Sequence, residues 1–282
     1  MKISPAMTIG IVGGVGKTGA QFARLFRAQG FTVRVTGKVD KQKNAALIRD
    51  CDVVVFAVPL EHAAKVIAKE VKAAVRNDQL ILDVSSLKAD TVHAMLGAKG
   101  EVIGMHPLFS PTTALKGQTV ILCPARCKPA TLTSLKRVLT NAGLKSIEMT
   151  PKAHDDQMAV IQAIPHFKSL LMGELLQSLS VDLHAVSKTC TPTYELEFNV
   201  IGRFLDDEPE LYMPIIFRNP AAPAILRRLK RLLDGYIRIA DRRDLPAASR
   251  RYRRLKSHFA PFAKRARSHS EACIATLSKL SR

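Results

Sequence analysis

Thr8-Ile9-Gly10-Ile11-Val12-Gly13-Gly14-Val15-Gly16-Lys17-Thr18-Gly19-Ala20-Gln21-Phe22 is the stretch that decides the fold. Its first five residues read as a buried strand, and Ala20 to Phe26 open an amphipathic helix. Between them, glycines at 14, 16 and 19 meet the dinucleotide fingerprint. Gly14 makes the tight turn, Gly16 lets backbone approach a pyrophosphate, and Gly19 allows close packing of helix on strand. Lys17 and Thr18 sit at the helix start, where free N–H groups and the helix dipole attract phosphate. Gly16-Lys17-Thr18 also matches the end of a nucleoside-triphosphate loop. That motif needs glycine five residues earlier, and the position is Ile11, so the triphosphate reading fails.

Working outward, strand-like runs recur at Thr32 to Thr36, Asp52 to Ala57, Gln79 to Val84, Val102 to Met105, Thr119 to Cys123 and Lys145 to Met149, with helical stretches between several of them. Alternating strands and helices build βαβ units, hence a parallel sheet covered on both faces. After Pro151 strand-like alternation stops and long helical patterns take over, divided by Pro209, Pro214, Pro220 and Pro223. The expected fold class is α/β: a Rossmann-type, doubly wound parallel sheet over residues 1–150, then an all-α domain over residues 151–282. The helical domain is expected to close a substrate cleft and to form a homodimer interface.

The end of the second strand reports on the adenosine ribose. A site for NAD usually carries Asp or Glu there, whereas this chain has Val35-Thr36-Gly37-Lys38. Thr36 and Lys38 suit a 2′-phosphate, so the reading leans to NADP over NAD; Asp40 is the one nearby carboxylate that could serve NAD instead.

The chain of 282 residues carries a net charge of +19, and +14 of it lies between Arg218 and Arg282, where 18 Lys and Arg face four acids. With few aromatics and no binding motif in that stretch, it reads as a solvated helix face and not as a nucleic-acid surface. Five cysteines without a paired or zinc-like spacing read as buried thiols in a reducing compartment, with no metal site. The longest apolar run, Val53 to Leu60, is too short to span a bilayer, and no secretory pattern precedes the first strand. A cytoplasmic protein is expected.

Asp83-Val84-Ser85-Ser86-Leu87-Lys88 ends one strand and Gly104-Met105-His106-Pro107 ends the next. Ligands of open α/β sheets bind beyond the carboxyl ends of the strands, so Ser86 and His106 should meet there. These residues, together with Gly14-x-Gly16-x-x-Gly19, Val58-Pro59, His154-Asp155, Ile161-Gln162-Ala163-x-x-His166-Phe167 and Tyr194-x-Leu196-Glu197 leading to Ile201-Gly202-Arg203, resemble prephenate dehydrogenase, from about Ile9 to Asn219. The resemblance implies a stand-alone dehydrogenase of tyrosine biosynthesis that converts prephenate to 4-hydroxyphenylpyruvate with loss of CO2. It implies that His106 accepts the ring-hydroxyl proton, that Ser86 orients His106, and that Arg203 binds a substrate carboxylate. Gln162, His166 and His154 join the expected substrate site, Gln162 and His166 because they stand four apart on one helix face. Val58 and Pro59 join the cofactor site.

Two departures matter. Glu195 stands where many relatives have Arg, and Ser110 where they have Gly. The first leaves arogenate open as the substrate. Other readings are a β-hydroxyacid dehydrogenase or imine reductase, which would use a lysine where this chain has Gln162 and His166, and a nucleotide-sensing or nucleic-acid-binding protein working through the basic tail.

Overall fold

The computed structural model describes residues 1–38 and 43–280. Seven strands form one sheet: β1 Thr8–Val12, β2 Thr32–Thr36, β3 Val53–Phe56, β4 Leu80–Asp83, β5 Glu101–Pro107, β6 Thr119–Arg126 and β7 Lys145–Glu148, in the order β2-β1-β3-β4-β5-β6-β7. The helices around it are α1 Lys17–Arg27, α2 Asn44–Asp50, α3 Leu60–Ala74, α4 Ala89–Met95 and α5 Pro129–Asn141. The central strands are apolar on both faces because both are covered. On β3, Val53 and Val55 join the core with Phe22, Leu25 and Phe26 of α1, while Val54 and Phe56 join the opposite core with Ile67 and Val71 of α3.

Five strands from β2 to β5 run parallel, as expected for a Rossmann-type sheet. The expectation of a wholly parallel sheet needs one correction, since β6 runs antiparallel to β5. The 108–118 connection contains no helix, and a parallel return needs a crossover of a dozen or more residues, usually helical. α5 then supplies such a crossover, and β7 is again parallel to β6.

Register places Val12, Phe56, Asp83 and Gly104 in one row across β1, β3, β4 and β5. The glycine loop and His106 therefore both begin just past that row, at the carboxyl edge. Three strand spacings of about 4.8 Å put β1 and β5 roughly 14 Å apart. Strand order reverses at β1, which has β2 on one side and β3 on the other, and such a switch point opens a ligand crevice.

The chain divides into two compact units, 1–163 with 210–220, and 164–209 with 221–282. The first reaches past residue 150, where the sequence placed its boundary. Thr150 caps α6 Pro151–Met158 by accepting from the Ala153 N–H, and Pro151 occupies the first turn. Met158 then buries against Ile121 and Cys123 of β6. Five residues, Ala159–Ala163, continue as a π-helical turn, with Ala159 and Ala163 buried. α10 Pro209–Phe217 also belongs to this unit, with Ile215 and Ile216 buried and Arg218 donating to the Glu61 carbonyl at 2.8 Å.

The second unit is helical: α7 Ile164–Ser178, α8 Leu183–Thr189, α9 Pro192–Asp206, α11 Ala222–Asp241 and α12 Leu245–Leu280. α9 packs on α7 and α12, and α11 meets α12 where Arg251 lies 4.9 Å over the Tyr236 ring. No strand follows β7 among the described residues, and no described helix is long and apolar enough to cross a membrane.

Candidate active site

At the glycine loop, Gly13 makes the turn that the sequence reading gave to Gly14. Its φ of +83° lies in the left-handed region, and a Cβ there would come within 2.3 Å of the Ala57 carbonyl. Gly14 instead passes over Val35 of β2. Gly19 does what its place in the motif predicts, since a Cβ would meet the Gly13 carbonyl at 2.4 Å. A Cβ at Gly16 would reach only the Gly13 carbonyl, at 3.4 Å, so the loop keeps its room at that point. Gly16 caps α1, whose first turn holds no acid and whose exposed Lys17 and half-buried Thr18 begin the helix. Free N–H groups, a positive helix end and a cation fit a pyrophosphate. Val58 lies beside Gly13, and the exposed Pro59 caps α3.

At the ribose position the structure corrects one residue. Thr36 is buried and its hydroxyl donates to Asn44 Oδ1 at 2.7 Å, an arrangement continued by Asn44 Nδ2 to Glu70 Oε1 at 3.3 Å. Thr36 thus ties β2 to α2 and α3, and its hydroxyl proton is committed to Asn44. Gly37 packs beneath Val15 of the glycine loop, Lys38 is exposed, and Asp40 lies outside the described residues.

Beyond β4 and β5, buried polar residues converge. His106 is almost wholly buried, and its Nδ1 lies 2.8 Å from His154 Nε2. His154 Nδ1 lies 2.7 Å from Asp155 Oδ1. Asp155 also accepts the backbone N–H groups of Lys88 (2.8 Å) and Ala89 (2.9 Å), which begin α4. Asn219 donates to the Asp155 carbonyl at 2.8 Å. Below this chain, the wholly buried Lys88 ammonium meets Asp83 Oδ2 at 2.5 Å and the Met105 carbonyl at 2.8 Å. The Lys88 stem crosses Gly104, where a Cβ would touch it at 3.0 Å. Asp83 Oδ1 is buried without a hydrogen-bond partner among the described residues.

Burial, first, and then the neighbouring His154 and Lys88 push His106 well below its usual 6.5. Burial likewise lowers His154, against the raising effect of its bond to Asp155. For Asp155, burial acts upwards, but the bonds from His154, Ala89 and Lys88 outweigh it and hold the carboxyl below its usual 3.8. Both imidazoles are therefore neutral at pH 7 and Asp155 is ionised.

Two expectations are revised here. Ser86 makes no hydrogen bond to His106 among the described residues; His154 holds that ring instead. His154, expected to touch substrate, is enclosed between His106 and Asp155. Gln162 comes to the site on the π-helical turn, with Nε2 3.5 Å from His106 Nε2 and its Oε1 buried without a partner among the described residues. The four-residue facing rule assumed for Gln162 and His166 holds for α-helices and does not apply across a π turn. Asp83, Asp155 and Gly13 carry roles that the sequence reading did not assign. The signal for Asp155 was a carboxylate beside His154 just before an apolar run.

In the second unit, His166 stacks on Phe204, ring centroids 5.6 Å apart and planes 16° apart. Burial lowers its pKa, helped by the Arg203 charge. Arg203 is exposed and forms no salt bridge among the described residues; Glu197, on the same helix, pairs with Lys168 at 2.9 Å.

Two family models match the chain: prephenate dehydrogenase, nucleotide-binding domain, over residues 26–148, and prephenate dehydrogenase, dimerization domain, over residues 150–255. A probable arogenate/prephenate dehydrogenase of Methanocaldococcus jannaschii is 31% identical over 96% of this chain and 65% of its own length. The T-protein of Enterobacter agglomerans is 30% identical over 90% of this chain and 68% of its own. The chain thus spans about two thirds of these relatives. A crystal structure of prephenate dehydrogenase from Aquifex aeolicus, in complex with hydroxyphenyl propionate and NAD+, shares the fold with a TM-score of 0.72 and 19% identity, covering 93% of this chain and 99% of that one.

Proposed function

Because the chain belongs to the prephenate dehydrogenase family, we propose that it oxidises prephenate to 4-hydroxyphenylpyruvate and CO2. The observation that carries this reading is a neutral, buried histidine at the carboxyl end of β5, one nitrogen held by His154 and the other facing Gln162. A nicotinamide held at the glycine loop would supply the acceptor for the hydride of ring carbon 4. His106 takes the proton of the hydroxyl on that carbon, and loss of the ring carboxylate as CO2 then makes the ring aromatic. A positioned base of this kind contributes about 10²- to 10⁴-fold. Gln162 Oε1, buried without a partner among the described residues, supports a role as acceptor of a substrate hydrogen bond. Arg203 is assigned to a substrate carboxylate, supported by its exposed guanidinium, which forms no salt bridge among the described residues, and His166 to the substrate site.

The cofactor is held by Gly13, Gly14, Gly16, Lys17, Thr18 and Gly19, with Val58 and Pro59 beside the loop. Gly37 and Lys38 put a cation where an acid would select NAD, so NADP is used at least as well as NAD. The functional form is a cytoplasmic homodimer. Exposed Leu232, Leu233, Tyr252, Leu255 and Phe259 on α11 and α12 support a helix-to-helix interface between copies.

The test is direct. Purified protein with prephenate and NADP or NAD should form reduced cofactor and 4-hydroxyphenylpyruvate in equal amounts. Turnover of arogenate but not prephenate would reassign the substrate, and turnover of neither would refute the activity.

A further inference from the structure

We propose that His154 and Asp155 are positioning residues that fix His106 as its Nδ1–H tautomer, leaving the lone pair of Nε2 to take the substrate proton. The inference rests on the reading of His106 as the proton acceptor and adds how the correct nitrogen is chosen.

A neutral imidazole carries one N–H and one lone pair, and its partners decide which nitrogen holds which. The chain of decisions starts at Asp155. Its carboxylate already accepts two backbone N–H groups, from Lys88 at 2.8 Å and Ala89 at 2.9 Å, and an ionised carboxylate has no proton to give. The contact of 2.7 Å to His154 Nδ1 is therefore a donation by the histidine. With the proton on Nδ1, His154 Nε2 holds a lone pair and must accept from His106 Nδ1 at 2.8 Å. One step further, His106 Nε2 is left with its lone pair on the side of Gln162 Nε2. Every bond in this chain lies within one compact unit, and His106, His154 and Asp155 are all buried, so water does not compete for them.

The charges act differently on the two rings: Lys88 opposes a proton on His106, while Asp155 and Asp83 favour one on His154. The titratable and charged groups facing His106 and His154 are Asp83 on β4, Lys88 before α4 and Asp155 on α6. Two carboxylates and one ammonium leave one buried negative charge, so a proton arriving on His106 Nε2 makes the cluster neutral. The proton stays on His106; the Nδ1–H bond to His154 strengthens as the ring becomes cationic.

Asp155→Ala releases the chain. Asp155 Oδ1 accepts from both His154 Nδ1 and the Lys88 N–H, so an amide could keep the His154 bond, whereas alanine leaves the buried His154 Nδ1 proton without an acceptor and favours the tautomer with the proton on Nε2. His154 then donates through Nε2, His106 Nδ1 accepts, and His106 Nε2 acquires the proton it should be free to accept. In the Ser-His-Asp triad, losing the carboxylate that sets the histidine tautomer lowers kcat about 10⁴-fold.

The experiment uses the full chain labelled with ¹⁵N in its histidine rings, with two-bond proton–nitrogen correlation spectra at pH 7.5 and His106→Gln and His154→Gln to assign the signals. Nδ1–H with an unprotonated Nε2 on both rings is expected; Nε2–H on His106 in the unsubstituted protein would overturn the proposal. D155A should move His106 to Nε2–H and lower kcat at least about hundredfold, with KM and cofactor Kd within about threefold. A kcat within threefold of normal would overturn it equally. If D155A does not fold, the spectra of the unsubstituted chain decide, because they need neither variant stability nor turnover. Those spectra are also independent of substrate: the expected tautomers in a protein that does not oxidise prephenate would refute the activity and leave the tautomer device standing.

Discussion

Lys88→Met tests how much of the site depends on the ion pair beneath it. Both side chains are fully buried, and the ammonium meets Asp83 Oδ2 at 2.5 Å. Methionine keeps much of the stem that crosses Gly104 but leaves a carboxylate whose Oδ1 already has no partner among the described residues. Breaking a buried pair by removing one partner costs about 3–5 kcal/mol, because the remaining charge stays desolvated. The Met105 carbonyl also loses its donor, which adds about 1–3 kcal/mol unless water reaches it. At about 2–4 °C per kcal/mol, the sheet unit should melt at least about 6 °C lower by calorimetry. Adding Asp83→Asn removes the stranded charge and should recover about 2 kcal/mol or more, since the amide oxygen can still accept from the Ser85 N–H. A single variant that melts within 2 °C of the parent, or a double variant less stable than the single one, would refute the reasoning.

His106→Ala should lower kcat by about 10²-fold or more at nearly constant KM, measured by initial rates. The neutral ring is the active form and its pKa lies below 6.5, so kcat/KM should stay level as pH falls through 6.5 and decline only in more acid buffer; a decline centred above 6.5 would contradict the burial argument. Arg203→Ala should raise KM for prephenate about ten- to a hundredfold, with lysine rescuing only in part and cofactor Kd unchanged in titrations. Lys38→Asp should shift the ratio of kcat/KM values from NADP towards NAD.

The sheet was legible because its strands are apolar on both faces and are punctuated by glycine loops, which is a local signal. The antiparallel β6 was not: Thr119 to Cys123 has the same composition whichever way it runs, and only the absence of a helix in 108–118 told against a parallel return. At the glycine loop, spacing located the site to within one residue. The left-handed turn fell on Gly13 because Ala57 and Val58, some 45 residues away, crowd that position from β3's end. His106 stood out by its bracket of Gly104 and Pro107, but its partners could not be read in the same way. Ser86 is nearer in sequence than His154, yet the imidazole bonds across 48 residues to α6, whose docking on β6 depends on Met158. The π turn at 159–163 is a further nonlocal outcome. It leaves Ala159 and Ala163 buried while presenting Gln162 beside His106, and an α-helical reading of that stretch assigns its side chains to different directions. Sequence thus singled out His106 as the candidate base, and folding brought to it the buried partners His154, Asp155 and Gln162.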